Sequence, residues 1–317
     1  MGLCHCCLKE TNRDFCSACS KALFGVSNFS AHLDYNAPQL AFASNGSVKR
    51  FSISGVQTKF LTKTHILKPI LPSHYENYQD APANEHVTML MARTIFKIPT
   101  ALSALLHFEN GDAVFVTKRF DVVDSGEYAG FRLSQSDFAQ IAGLIPERYG
   151  EGYKYKGSYE RIAELIRKNV SAADVAVEIF FRTVLFNYLV CNGNAHAKNF
   201  SLQNSVENLD VYDLTPAYDL LNTSLHIPNE QSRTALDLFK DDFKTPFYEA
   251  NGFYGAQDFM EFAKRIGVVE RRARRFIKQA IDSVPAMEEI LDKSFMSEKS
   301  KARYKENIRD RAKALGY

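Results

Sequence analysis

The first part of the chain alternates apolar and polar residues in short segments. The segments VKRFSIS, TKFLTK and HILKPI, between about residues 40 and 70, have the alternation and the β-branched residues that predict three strands. Pro82 then opens a stretch with apolar residues at helical spacing, which predicts one helix. Two later apolar runs, ALSALLHF and AVFVTKRF, flank Asn110 and Gly111, and an Asn-Gly pair in that position indicates a β-hairpin.

After Asp121 the apolar residues recur at helical spacing. SQSDFAQIAG, SYERIAELIRKN and SAADVAVEIFFRTVLFNYLVC each have a serine near the start as a candidate cap, and the third is apolar enough for a central core helix. NFSLQ and LDVYDL predict a short hairpin behind it, and about the last seventy residues predict two or three amphipathic helices. The predicted fold class is therefore α+β, with a small strand-rich lobe at 25–121 and a larger helical lobe at 122–317.

Composition narrows the class of protein without deciding it. The 317 residues include 39 basic and 37 acidic ones, which excludes a strongly basic protein that coats DNA. No apolar run is long enough to span a bilayer, and the first residues lack the pattern of a signal peptide. We therefore expect a cytoplasmic protein with reduced thiols and no membrane contact.

Five of the six cysteines lie within the first 19 residues. The spacing CxxC-x8-CxxC is formed by Cys4, Cys7, Cys16 and Cys19. Two such pairs of thiolates are what a tetrahedral zinc site needs, so residues 1–24 are predicted to form a zinc knuckle, called the cysteine knuckle below. The alternative is a loose cysteine-rich tail, and the neighbouring His5 and Cys6 leave the choice of ligands open.

A polar cluster follows the most apolar of the predicted helices. VCNGNAHAKNF at 190–200 places asparagines, a histidine and a lysine in one loop, and Asp219 comes about twenty residues later, behind the predicted hairpin. Phosphoryl transfer needs hard oxygen ligands for metal ions, a group that takes the proton of the attacking hydroxyl, and a cation for the phosphate. The residue types in this order therefore indicate a phosphoryl-transfer site.

Several separate blocks of the sequence resemble the HipA family, the serine/threonine kinase toxins of bacterial toxin–antitoxin systems. The blocks are SISGVQTKF, ILKP, NEH, TKRFD, NGNAHAKNF and TPAYDLL, and the resemblance covers roughly residues 40–310. It implies a two-lobed fold like that of protein kinases. The amino terminus lacks the extra subdomain of longer HipA proteins, and in this the chain resembles the short HipT kinases, whose missing subdomain is a separate small protein.

The resemblance implies roles in nucleotide binding for residues of the first lobe. Lys68 matches the lysine that contacts the ATP phosphates, and Glu85 on the following helix matches its partner. Lys118 and Phe120 fall in the hinge segment that holds the adenine. Without the resemblance, the ordinary expectation is an exposed strand lysine, a surface glutamate and a core phenylalanine.

In the second lobe the resemblance implies the metal ligands and the catalytic loop. Asn199 and Asp219 match the two magnesium ligands, although a turn-forming asparagine and a helix-capping aspartate are also common. His196 and Lys198 match the catalytic loop, and Lys198 has the charge needed beside a transferred phosphoryl group.

One residue departs from the family pattern. The family loop reads N-x-D-A-H-x-K-N, in which the aspartate is the catalytic base, and this chain has Asn194 there. An amide oxygen accepts a hydrogen bond but does not take up a proton, so we expect activity to be reduced by about 10²–10⁴-fold. Either the aspartate of a toxic kinase has been replaced by design, or the chain is a natural pseudokinase that still binds nucleotide.

A short loop takes the place of a glycine-rich phosphate clamp. It contains Ser52, Ser54 and Gly55, and in the family a serine of this loop is autophosphorylated, which stops nucleotide binding. A phosphate there brings a charge near −2 into the place meant for the ATP phosphates. The alternative is a pair of solvent-exposed strand serines.

The resemblance implies ATP- and Mg²⁺-dependent phosphorylation of a serine or threonine on a protein, and the known targets of the family are aminoacyl-tRNA synthetases. The alternative is a binding module that holds ATP and partners without turnover. The implied partners are a small DNA-binding antitoxin and, for the HipT type, a separate HipS-like subunit. A nucleic-acid contact by the cysteine knuckle is a third interpretation, but its few basic residues favour a structural zinc clip on the first lobe.

Overall fold

The computed structural model describes residues 1–36, 49–53, 57–205, 208, 211–227 and 233–316. In the strands at 49–53 and 57–61, only the backbone is described for residues 49–53, 57 and 58. The described residues form a strand-rich amino-terminal lobe and a helical carboxy-terminal lobe, as the sequence predicted. Among them, no helix has both the length and the apolar character that crossing a membrane requires.

The amino-terminal lobe is built on one antiparallel sheet. Its elements are β1 (Gly2–Leu3), β2 (Glu10–Thr11), α1 (Ser17–Phe24), β3 (Lys49–Ile53), β4 (Gln57–Leu61), β5 (His65–Pro69), a 3₁₀ turn (Tyr78–Asp80), α2 (Ala81–Thr94), β6 (Ser103–His107) and β7 (Ala113–Lys118). Strands β3 to β7 pair in the order β3-β4-β5-β7-β6, which confirms the predicted strands and hairpin. In that hairpin Gly111 has a φ of +85°, which glycine adopts without strain.

Both faces of this sheet are covered, because elements pack on each side. Val114 and Val116 pack with residues of the cysteine knuckle on one face. Phe115 points the other way, into the core that the sheet shares with α2 and the carboxy-terminal lobe. Lys68 pairs with Phe115 in the β5–β7 register, and paired residues of an antiparallel sheet lie on the same face. The register therefore directs Lys68 towards α2.

Helix α2 is buried on nearly all sides. The sequence predicted a single apolar stripe, but the structure buries 12 of its 14 residues, from Ala81 to Ala92. The sheet covers one side of α2, and the carboxy-terminal lobe covers the other. Polar residues are therefore enclosed with the apolar ones. Asn84, for example, donates from Nδ2 to the carbonyl of Asn222 at 2.9 Å.

The carboxy-terminal lobe surrounds one central helix. Its elements are β8 (Gln135–Asp137), α3 (Phe138–Ile141), α4 (Pro146–Tyr149), a 3₁₀ turn (Glu151–Tyr155), α5 (Tyr159–Asn169), α6 (Ala173–Leu189), a 3₁₀ turn (Ala197–Asn199), β9 (Ser201–Asn204), β10 (Tyr212–Leu214), a 3₁₀ turn (Thr223–Leu225), α7 (Pro246–Asn251), α8 (Ala256–Ile266), α9 (Glu270–Asp282), α10 (Val284–Asp292) and α11 (Glu298–Leu315). Helix α6 has eleven buried residues, which confirms the predicted central helix. The hairpin β9–β10 is also confirmed.

Three sequence predictions for this lobe were wrong in detail. Residues 134–143 were predicted as a helix, but they form strand β8 and only one helical turn, because β8 pairs with β9 as a third strand. The cap of that turn is Asp137 and not a serine: its side chain accepts a hydrogen bond from the amide of Gln140. Ser158 caps α5 as predicted, whereas α6 begins after Ala172 without a side-chain cap. The final seventy residues contain four complete helices, α8 to α11, instead of two or three. The predicted boundaries 1–24, 25–121 and 122–317 stay predictions.

Candidate active site

Lys68 and Glu85 form a buried ion pair at the centre of the amino-terminal lobe. Strand β5 carries the lysine and α2 carries the glutamate, and Nζ lies 2.5 Å from Oε1. The two side chains are only 5% and 4% exposed, so water screens their attraction weakly. This burial excludes the ordinary alternative of an exposed strand lysine with a surface glutamate.

Asp219 joins this pair from the carboxy-terminal lobe. Lys68 also donates to Asp219 Oδ1, and Nζ of Lys59 on β4 lies 3.1 Å from Asp219 Oδ2. Asp219 has a φ of +54°, a left-handed conformation that aspartate tolerates better than most residues, and Asn192 Nδ2 donates to its carbonyl at 3.2 Å. Three charged residues of the amino-terminal lobe therefore meet one aspartate of the carboxy-terminal lobe.

The four charges determine one another's ionisation. Burial opposes the charge on Asp219, but Lys59 and Lys68 hold the pKa of that carboxyl well below its usual range. Burial also opposes the charge on Lys68, but Asp219 and Glu85 raise its pKa above the ordinary value. Burial raises the pKa of Glu85. Of the two carboxyl groups, Asp219 is therefore the one held more strongly in its ionised form.

A cavity of about 560 Å³ opens above this cluster. Its walls include the following residues from the sequence analysis: Lys68, Glu85, Lys118, Phe120, His196, Lys198, Asn199 and Asp219. A second cavity of about 140 Å³ adjoins it, shares Lys68, Glu85 and Asp219, and is lined by Asn194. Ser54 and Gly55 lie outside the described residues, and of Ser52 only the backbone, in β3, is described.

The larger cavity combines an apolar wall with charged residues. Leu61, Ile66, Met89 and Phe115 line it from the amino-terminal lobe. Phe120 lies at the connection between the lobes, with its ring centroid 5.8 Å from that of Tyr218. Such a wall suits a flat aromatic group, whereas the charged residues suit a polar one. Lys118 lies at the rim, where its Nζ is 2.7 Å from Asp124 Oδ2.

The described walls of the two cavities together carry seven basic and four acidic side chains. The basic set is Lys59, Lys68, Lys118, Arg119, Arg132, Lys154 and Lys198. The acidic set is Glu85, Asp121, Asp137 and Asp219. An excess of positive charge in an enclosed space attracts anions, so the cavities suit a ligand with several negative charges.

The loop after α6 places four polar side chains at the cavity edge. Asn199 Nδ2 donates to the carbonyl of Asn194 at 2.6 Å, and Lys198 Nζ donates to the hydroxyl of Tyr153 at 3.1 Å. His196 is 1% exposed, and neither ring nitrogen has a hydrogen-bond partner among the described residues. Burial lowers the pKa of His196 to about 3, so this imidazole is neutral at physiological pH.

Asn199 and Asp219 fit a magnesium site by their chemistry. Both line the larger cavity. Because the Asn199 amide nitrogen is used in the bond to Asn194, its Oδ1 is the atom left for a cation. Mg²⁺ is commonly held by one or two protein oxygens together with substrate phosphates, and an amide and a carboxylate oxygen meet that requirement.

Comparison with known proteins identifies the family of the chain. A family model described as a HipA-like C-terminal domain matches residues 51–287. The chain belongs to this family. A relative from Sinorhizobium fredii, named as a kinase, is 32% identical over 212 residues, which is 58% of this chain and 47% of that protein. The serine/threonine-protein kinase toxin HipA of Shewanella oneidensis is 27% identical over 280 residues, 77% of this chain and 59% of that protein.

Solved structures of HipA-like and related kinases share the fold. The complex of HipA, HipB and operator DNA from Shewanella oneidensis has a TM-score of 0.63 at 22% identity, covering 84% of this chain and 65% of that chain. The proinflammatory kinase CtkA of Helicobacter pylori has a TM-score of 0.52 at 16% identity, covering 84% and 90%. The two-lobed, kinase-like fold is thereby confirmed. The chain spans about half the length of the first relatives it matches.

The cysteine knuckle lies outside the part that the HipA-like family model matches. The Sγ atoms of Cys4, Cys7, Cys16 and Cys19 all lie within 4.8 Å of one another. The amide of Cys16 also donates to Cys4 Sγ at 3.3 Å, which favours a charged thiolate. The four thiols fit a tetrahedral zinc ion, whose 2.3 Å bonds place sulfurs about 3.8 Å apart. His5 is engaged elsewhere, with Nδ1 3.1 Å from the carbonyl of Leu105.

Sequence reasoning missed three residues of the candidate site. Lys59 lies within the block SISGVQTKF, but its contact with Asp219 becomes visible only when the lobes are assembled. Tyr153 and Tyr155 come from a segment with no periodic pattern, yet their hydroxyl groups contact Lys198 and Asn194. The tyrosine-rich run EGYKYKG was the only signal for them.

Proposed function

We propose that this chain is an ATP-binding protein of the serine/threonine kinase type, built as the toxin of a toxin–antitoxin system. The observation that carries the proposal is the meeting of Lys68, Glu85 and Asp219 below a cavity with excess positive charge. Kinases use such a lysine, held by a helix glutamate, to bind nucleotide phosphates beside a metal-binding aspartate. The names of the relatives from Sinorhizobium and Shewanella support the same class.

In this proposal each part of the cavity binds one part of the nucleotide. The apolar wall with Phe120 and the rim at Lys118 take the adenine, and Lys68 contacts the phosphates. Asn199 and Asp219 would hold Mg²⁺, which would neutralise phosphate charge. The ammonium groups of Lys59 and Lys68 also supply positive charge at Asp219. Lys198, which lines the larger cavity, supplies positive charge for the transferred phosphoryl group.

Asn194 determines whether the site catalyses phosphate transfer. Its side chain lies on the wall of the smaller cavity, where a protein hydroxyl enters in this proposal. The amide orients that hydroxyl but does not take its proton, so we propose that the chain as it stands is nearly inactive. A replaced catalytic aspartate accounts for this better than a natural pseudokinase, because the charged residues around the site are otherwise kept.

The test is to restore the carboxylate with Asn194→Asp and to measure transfer of labelled phosphate from ATP. We expect the rate to rise by about 10²–10⁴-fold, the usual contribution of a general base. Asn194→Ala is the matched control, because it removes the amide without adding a base. If the Asn194→Asp chain binds Mg²⁺-ATP but shows no turnover, the second candidate function is favoured, a partner-binding module that holds ATP.

The finer functional assignments are proposed on the family resemblance. We propose a protein substrate such as an aminoacyl-tRNA synthetase, a small DNA-binding antitoxin as partner, a separate HipS-like subunit, and a cytoplasmic location. The Shewanella structure, which contains HipA with HipB and operator DNA, supports the antitoxin. Ser52 and Ser54 are proposed autophosphorylation sites, to be checked by mass spectrometry of the Asn194→Asp chain after incubation with ATP.

A structural zinc ion in the cysteine knuckle is also proposed. The convergence of four thiols supports it, and the packing of the knuckle shows what the ion would stabilise. Leu105, on the edge strand β6, donates its amide to the carbonyl of His5 at 3.0 Å. Phe15 and Leu23 of the knuckle are buried against the sheet. The ion would thus fix the amino terminus on the first lobe, and it need not contact nucleic acid.

A further inference from the structure

The 3₁₀ turn Glu151–Tyr155 contacts both polar groups of the loop after α6 that would act in phosphate transfer. The hydroxyl of Tyr155 donates to Asn194 Oδ1 at 2.7 Å. The hydroxyl of Tyr153 accepts from Lys198 Nζ at 3.1 Å, and this ammonium also lies 5.7 Å from the centre of the Tyr153 ring. One short turn therefore engages the base position and the phosphate lysine together.

The bond from Tyr155 is the one that a substrate hydroxyl would have to make. Before it attacks a phosphate, an acceptor hydroxyl must lie within hydrogen-bond reach of the oxygen at the base position. Here a phenol hydroxyl already donates to that oxygen. Tyr155 and Asn194 line the smaller cavity together with Lys68 and Asp219, so the phenol faces the same space as the proposed phosphate-binding residues.

We propose that the Tyr155 hydroxyl stands in for the acceptor hydroxyl, and that the turn Glu151–Tyr155 is a latch that must swing away before a protein substrate reaches residue 194. This inference rests on the proposed function, because it takes residue 194 as the base position. It adds a specificity-determining element, since only a protein that displaces the turn presents its hydroxyl to the cavity.

The turn is built so that it can move. Tyr155 is 42% exposed, and none of the residues from Glu151 to Tyr155 is buried. Gly150 and Gly157 flank the turn with φ of +69° and +92°, a region that glycine enters without strain, and small residues at the ends of an element often serve as hinges. The Tyr155 ring packs edge-on against His196 at 5.0 Å, which keeps the closed position defined.

A purely positioning role predicts the opposite result. If Tyr155 served to hold residue 194 in place, removing its hydroxyl would misplace that side chain and lower kcat. If the hydroxyl competes with substrate, removing it lowers KM and leaves kcat unchanged. A lower kcat would therefore indicate the positioning role, whereas a lower KM with unchanged kcat would indicate competition with the substrate.

The experiment uses Tyr155→Phe in the Asn194→Asp chain, which keeps the ring and removes only the hydroxyl. Dephosphorylated casein is the protein probe, and hydrolysis of ATP by water is measured alongside. We expect a KM for casein lower by about 2- to 10-fold and faster hydrolysis by a similar factor, the range that one partly exposed hydrogen bond supplies. Tyr128→Phe, in an exposed loop, is the control and should change neither.

A lower kcat, or unchanged KM and hydrolysis, would overturn the latch. Phosphotyrosine at position 155 in the Asn194→Asp chain would overturn it as well, because Tyr155 would then be a substrate instead of a stand-in for one. A second readout needs no turnover. Tyr155→Phe in the otherwise unaltered chain should speed amide hydrogen exchange at 151–157 by several-fold and leave α5 unchanged. If the Asn194→Asp chain shows no turnover, the proposed function fails and exchange alone decides the latch.

Discussion

The cleft and the cysteine knuckle both crowd polar atoms into a small space, but they do so with opposite character. At the floor of the cleft, the carboxylates of Glu85 and Asp219 are outnumbered by the basic side chains on the cavity walls. In the knuckle, the sulfur atoms of four thiol groups all lie within 4.8 Å of one another. The first arrangement is suited to an anion and the second to a cation.

This difference indicates how each region keeps its shape. The cleft is held together by its own ion pairs, because Lys59 and Lys68 both contact the carboxylate of Asp219. The thiols of the knuckle stabilise one another only weakly, because sulfhydryl groups are weak hydrogen-bond donors and weak acceptors. We therefore expect the knuckle to depend on its ligand for stability and the cleft to depend on its ligand only for function.

Removing the metal should have the largest effect. We expect one zinc ion per chain, lost on treatment with a chelator and in Cys16→Ser. Structural zinc sites in small peptides bind with roughly 10–16 kcal/mol, so losing even part of this should cost several kcal/mol of unfolding free energy. Metal analysis by mass spectrometry and thermal denaturation with and without chelator measure both effects.

The sixth cysteine provides the control for that experiment. Cys191 is buried in the other lobe, next to Nε of Arg311 at 3.2 Å, so Cys191→Ser should leave the zinc content unchanged. A chain without zinc, or one that keeps its melting temperature after the metal is removed, would contradict the expectation that the knuckle, unlike the cleft, depends on its ligand for stability.

Breaking the buried ion pair should have the next largest effect. Glu85→Gln leaves the ammonium of Lys68 with Asp219 as its only carboxylate partner in the described structure. Loss of one partner of a buried pair costs about 3–5 kcal/mol, and we expect the lower end because Asp219 remains. Chemical denaturation measures this, and Glu127→Gln, at an exposed position, should cost less than about 0.5 kcal/mol.

The same variant also tests the anion character of the cleft. Saturating Mg²⁺-ATP should return part of the stability that Glu85→Gln removes, since phosphates supply negative charge beside Lys68 and a ligand stabilises the state it binds. Equal melting temperatures with and without nucleotide would contradict the assignment of the cavity, while leaving the cost of the broken pair intact.

The fold was largely predictable because its signals are local. Each signal is visible within a short stretch of the sequence: the alternation in β3 to β5, the Asn-Gly turn before β7 and the apolar length of α6. Strand β8 was missed because Gln135–Asp137 carries no strand pattern of its own. It becomes a strand through pairing with β9, a partner more than sixty residues away.

The residues of the site were predictable from the sequence only where they belong to a recognisable motif. Lys68, Glu85 and Asp219 were found through resemblance to a family, and their burial then supported their selection. Tyr153 and Tyr155 were not found, because tyrosines in an irregular segment give no periodic signal. Their significance arises from two hydrogen bonds across about forty residues, which no spacing in the sequence reveals.

Acid should have the smallest effect, and it acts on the protein core around α2. Burial lowers the pKa of His86 to about 3, with the charges of Arg93 and His5 acting in the same direction. The unfolded chain has a histidine pKa near 6.5, so it binds the proton first and stability falls as the pH drops from 6.5 towards 3. Between pH 6.5 and 5 this one histidine should remove about 1.5 kcal/mol, which denaturation at each pH measures.

His86→Gln should flatten that part of the stability curve by the same amount. Zinc thiolates are also lost in acid, because each ligand must be deprotonated to bind, so metal release has to be followed at each pH with a coloured chelator. If the loss of stability between pH 6.5 and 5 follows zinc release and persists in His86→Gln, the acid sensitivity belongs to the knuckle. If the loss is smaller by about 1.5 kcal/mol in His86→Gln while zinc stays bound, that part belongs to the buried core around α2 and not to the knuckle, and the buried His196, whose pKa is also lowered to about 3, keeps its own share of the loss in both chains.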